Sequence, residues 1–81
     1  MKLVEITQRM LERYEDGLVT TELEGLSVTH FNRLLIDLAR DAGIVDGLPD
    51  DLGDCLPREI TMWTKEINQH VQEAKAPVDP N

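Results

Sequence analysis

The sequence predicts an all-α fold, a small three-helix domain with an acidic loop between the second and third helices. Three features point to it. Apolar residues recur at helical spacing in three separate stretches, Gly and Pro stand where those stretches begin or end, and aspartates crowd the gap before the last one.

In the first stretch Leu3, Ile6, Met10 and Tyr14 share one helical face, with Val4 and Leu11 beside them and Glu5, Arg9, Glu12 and Arg13 opposite. The spacing predicts a helix that stops near Glu15–Asp16, with Gly17 as the left-handed residue that closes it. The run from Leu18 to Glu24 is rich in β-branched residues and suits a short extended segment. Ser27 reads as the N-cap of the second helix, with Leu26 placed to pack on Phe31 as a hydrophobic staple. The stripe Val28, Phe31, Leu35, Leu38 and Ala42, widened by Leu34 and Ala39, makes this helix the expected centre of the core. Gly43 is expected to end it, with Ile44 making the apolar contact that follows such a cap.

Between Val45 and Leu56 the composition turns to Asp, Gly and Pro, which predicts a loop with one short helical turn after Pro49. Pro57 suits the first turn of the third helix, where its missing N–H costs nothing, and Asp54 or a neighbour is placed to cap that turn. Ile60, Trp63, Ile67, Val71 and Ala74 form the third stripe. Residues 1–75 thus read as a single helical domain, and residues 76–81, with Pro77 and Pro80, as a flexible tail.

Length and charge bound what such a chain does. A domain of 81 residues buries only about 60–65% of the surface its unfolded chain exposes, so the core is thin. The formal charge is −8, with −2 in residues 1–40 and −6 in residues 41–81. Phosphate backbones need Lys and Arg to neutralise them, so direct nucleic-acid binding is not expected, whereas a basic protein partner fits. Cys55 is the only cysteine, which rules out an internal disulfide and suits a reducing, cytoplasmic setting. No segment approaches the roughly 18 apolar residues of a membrane span.

Candidate chemistry is sparse. Asp46, Asp50, Asp51 and Asp54 would offer carboxylates to a hard cation, but their intervals lack the alternate spacing of a calcium loop; a solvated loop whose aspartates favour the positive end of the following helix is the simpler account, with a contact surface for a basic partner as the other alternative. Cys55 with His30 or His70 lacks both a nucleophile turn and an orienting third group, and two histidines with one cysteine are too few for an ordinary zinc site. No catalytic residue, metal or cofactor is therefore expected. His30, in the first turn of its helix, is expected to make a local hydrogen bond, and His70 to flank the third stripe. Met62 falls off its stripe and faces outward, as a contact for a partner or a second copy of the chain. Arg33 and Arg40, seven apart on the polar face of the second helix, form a small basic ridge that Lys2, Arg9 and Arg13 of the first helix would extend, the one place suited to an anionic ligand such as a nucleotide; a solvated charged face is the simpler account.

The run Gly25-Leu26-Ser27-Val28-Thr29-His30-Phe31 leading into Leu34-Leu35, followed by Leu56-Pro57-Arg58-Glu59-Ile60 and a closing helix, resembles short accessory proteins of tailed bacteriophages, including their tail assembly chaperones. The resemblance spans about residues 25–72 and implies an assembly factor or inhibitor that works by contact. It carries no functional residue with it. The sequence as a whole predicts a non-enzymatic protein–protein interaction module that self-associates or docks on a basic surface, with anionic-ligand binding through Arg33 and Arg40 as the alternative.

Overall fold

The computed structural model describes residues 1–20 and 27–76. In chain order it has β1 (Lys2–Leu3), α1 (Gln8–Thr20), α2 (Val28–Asp41), β2 (Val45–Asp46), a 3₁₀ turn (Leu52–Asp54) and α3 (Pro57–Lys75). It is a mostly helical three-helix domain in which α2 packs against both α1 and α3. The staple between Leu26 and Phe31 and most of the expected extended run, residues 21–24, lie outside the described residues.

The start of the chain differs from its periodicity. Lys2 and Leu3 do not join the first helix; they pair antiparallel with Asp46 and Val45, and the Val4 N–H donates to the Ile44 carbonyl at 2.8 Å. The helix begins only at Gln8 because Thr7 caps it, its hydroxyl accepting from the Met10 N–H at 3.3 Å. Leu3 is consequently exposed. Gly17 does not end the helix either. It lies inside α1, where its missing side chain admits α2: a Cβ there would stand 2.7 Å from Leu38 Cδ2. The expected extended segment is helical over Leu18–Thr20.

Around α2 the local signals hold. Ser27 is extended and its hydroxyl accepts from the His30 N–H at 3.2 Å. At the other end Gly43 takes φ 81°. Its N–H donates to the Arg40 carbonyl and the Ile44 N–H to that of Ala39, the paired bonds of a Schellman cap. Ile44 follows as a fully buried residue. The buried arc is shifted from the expected stripe: Leu35, Ile36, Ala39 and Ala42 are buried, whereas Val28 is exposed. Ile36, outside the expected stripe, is fully enclosed because α2 is gripped from two sides.

In α3, Pro57 is the first helical residue and Leu56 the cap, with no side-chain hydrogen bond at that end, so Asp54 does not cap it. Ile60, Thr64, Ile67 and Val71 are buried, Trp63 is half-buried, and Ala74 is exposed beyond the end of the core. Thr64 is tolerated because its hydroxyl donates to the Ile60 carbonyl at 2.8 Å. The core is completed by Leu11, Tyr14, Val45 and Leu52. His70 Nε2 donates to the Val4 carbonyl at 2.7 Å and so fastens the strand segment to α3.

Candidate functional site

Two helices that start side by side and a turn that crosses their ends leave a cleft. Thr29, Asn32 and Arg33, in the first two turns of α2, form one wall; Pro57, Ile60 and Thr61, in the first two turns of α3, form the other; Leu52, Gly53 and Cys55 complete it. Its volume is about 210 Å³. The base is apolar, from Ile60 and Leu52, and the polar groups stand on the walls. Two large apolar residues next in sequence to its lining are exposed. Val28, 76% exposed, precedes Thr29, and Leu56, 47% exposed, lies between Cys55 and Pro57.

The charged residues around the acidic loop divide into tethered and free. Asp46 accepts from the Gly47 N–H at 2.8 Å. Asp51 accepts from the Gly53 N–H at 2.8 Å and caps the 3₁₀ turn. Asp50 and Asp54 are exposed. Among the described residues no group of three or more His, Cys, Asp or Glu side chains is arranged to hold a metal ion. Arg40 is bound in place, pairing with Asp37 at 2.8 Å and donating to the Pro49 carbonyl at 3.0 Å. Its partners fasten the loop to α2. Arg33, by contrast, makes no hydrogen bond or ion pair among the described residues and projects along the cleft; its Nη2 is 3.9 Å from where a Cβ on Gly53 would stand. The two arginines therefore do not present a shared ridge of free cations.

Elsewhere, Met62 is 51% exposed on α3. His30 Nδ1 lies 2.8 Å from Ser27 Oγ at the cap of α2. Cys55 is a free, half-buried thiol in the cleft. A second, shallower cleft of about 190 Å³ is lined by Leu3, Glu66, Gln69, His70 and Glu73. Buried Tyr14 has its hydroxyl pKa pushed up from 10.0 to about 12 by desolvation, which marks a core position. Sequence patterning does not reveal Thr29, Asn32 and Thr61 as a site. Each reads as an ordinary polar face residue, and only the meeting of three distant segments brings them together. No helix is long and apolar enough to cross a membrane among the described residues. No protein-family model, curated protein or solved structure matches the chain.

Proposed function

We propose that this chain is a non-enzymatic interaction module that docks on a basic protein surface or on a second copy of itself. The observation that carries the reading is the cleft, lined by the apolar Leu52 and Ile60, on a domain of charge −8 that also leaves Val28 and Leu56 exposed at the starts of α2 and α3. Scattered exposed apolar residues are ordinary on any surface, whereas apolar groups gathered around a concavity favour contact with another molecule. Met62 and the aspartates at 46, 50, 51 and 54 extend the reading as a further apolar contact and an acidic margin. Within it, the likeness of residues 25–72 to tailed-phage accessory proteins supports a phage-type assembly factor or inhibitor in a cytoplasmic setting. Size-exclusion chromatography with light scattering, alone and with basic protein partners, tests it. Self-association or complex formation weakened by Val28→Asp and Leu56→Asp is expected. A monomer at high concentration that binds no basic partner overturns it.

A second reading, an anionic-ligand site, has one observation behind it: Arg33 stands on the cleft wall with no hydrogen bond or ion pair among the described residues. Thermal shift against nucleotides separates the two, because a ligand that binds only the folded chain raises its stability.

A further inference from the structure

The docking reading leaves the occupant of the cleft unspecified, and size and charge narrow it. Pockets that enclose drug-sized ligands are typically about 300–1,000 Å³. At about 210 Å³ and open to solvent, this cleft is small for a nucleotide and suited to one large side chain. Its floor of Leu52 and Ile60 calls for an apolar group.

Charge sets what lies on either side of that group. Among the described residues Arg33 is the only charged one in the lining, but the turn that forms the cleft carries Asp51 and Asp54 on either side of Leu52–Gly53, with Asp50 just before. Arg58 and Glu59, at the start of α3, add one charge of each sign. Around the Gly53 Cβ position, Asp51 Oδ1 is at 3.0 Å and Arg33 Nη2 at 3.9 Å, so the one cation of the lining already sits within the field of the nearest carboxylate. An anion entering here meets Arg33 with Asp51 close by, and with Asp50 and Asp54 in the same turn. For a cationic segment the same carboxylates are attractive.

We propose that the cleft between the starts of α2 and α3 is the docking site for a partner protein segment that presents one large apolar side chain flanked by Lys or Arg. The apolar group enters between Asn32 and Thr61 onto Leu52 and Ile60, and the flanking cations lie along Asp50, Asp51 and Asp54. This rests on the interaction-module reading and specifies its partner chemistry.

The experiment is chemical-shift mapping of the labelled chain with three short amidated peptides: a Lys/Arg-rich one with a single central Phe, the same with Ser for Phe, and the same with Glu for every basic residue. The Phe peptide should shift the amides of Asn32, Arg33, Gly53 and Thr61, and its binding should weaken as salt rises. The Ser and Glu versions should bind at least about tenfold more weakly. Thr61→Trp, at an exposed position, fills the cleft and should abolish the shifts while far-UV circular dichroism stays unchanged. Arg33→Ala should bind the Phe peptide more tightly. Absence of these shifts at millimolar peptide, equal binding by the Ser or Glu peptide, unaltered binding by Thr61→Trp, or weaker binding by Arg33→Ala overturns the assignment. Shifts confined to another face, around Met62 or Leu3, overturn the cleft but leave the docking reading standing. The same cleft amides shifting as the chain alone is concentrated make a second copy the occupant and overturn the basic segment. A chain that binds no peptide on any face and never self-associates loses both.

Discussion

Gly43 and Gly17 carry the same signal in sequence, a glycine closing an amphipathic helix, and substituting each by Ala separates their physical roles. At Gly43 the backbone has φ 81° and the nearest atom to an added Cβ is Met10 Cε at 3.8 Å. There is room for the methyl group, so the cost is conformational, about 1–2 kcal/mol for an L-residue held in the left-handed region. In a domain of this size each 1 kcal/mol lowers Tm by roughly 4–8 °C. At Gly17 the backbone is helical, so Ala gains about 0.5–1 kcal/mol of helix preference. The added carbon also pushes on Leu38 Cδ2 at 2.7 Å. Leu38 is half-buried and its terminal methyl can yield, which places the overpacking cost at the low end of its range, about 1 kcal/mol. The two terms nearly cancel, and Gly17→Ala should lie within about 0.5 kcal/mol of the parent. In a Leu38→Ala background the same change should become stabilising. Urea denaturation followed by far-UV circular dichroism reads all of these. Equal losses at the two glycines, or a Gly17→Ala effect indifferent to Leu38, would refute the reasoning.

Three further substitutions probe the core and its fastenings. Ile67→Ala removes a fully buried side chain from α3 and should cost about 2–5 kcal/mol in urea unfolding; a loss under about 1 kcal/mol would mean that Ile67 is not enclosed. His70→Ala strips the donor from the Val4 carbonyl and should cost about 1 kcal/mol, with faster hydrogen exchange at the Val4 amide; unchanged exchange there would mean the bond does not hold the strand. Tyr14 ionises in the folded chain near pH 12 against 10.0 when exposed. The unfolded chain therefore gives up this proton first, so the contribution is intact below pH 10 and lost as pH rises through 12. Tyr14→Phe should lack that loss, and identical alkaline unfolding of the two chains would contradict it.

What the sequence made legible is what nearby residues decide. Ser27, Gly43 with Ile44, and Pro57 act through bonds or dihedral angles within a few positions of themselves, and each performs the expected role. Thr7 carries a cap signal of the same kind as Ser27, but the apolar spacing from Leu3 to Tyr14 masks it. Nothing local shows that Lys2 and Leu3 belong with Asp46 and Val45, because a strand is defined by a partner that only the tertiary fold supplies. Periodicity locates the buried side of α2 but not its breadth, which is how Ile36 escapes the stripe and Val28, overhanging the start of the helix, falls outside the core. The cleft is the least legible feature, since its walls come from three segments. Met62 and Arg33 were open to sequence reasoning as surface residues. That Arg40 is tied to Asp37 and the Pro49 carbonyl, leaving Arg33 by itself, was not.

The bond from His70 to the Val4 carbonyl spans 66 positions, and the strand it steadies also waits for Ile44 to Asp46. On the ribosome residues 2–4 emerge well ahead of every group that will hold them. They should stay unengaged until α2 and α3 have packed together, and lock down among the last steps of folding. A label or fusion joined directly ahead of Lys2 would therefore strain the seam that closes latest, while one placed beyond Lys75 would leave it undisturbed.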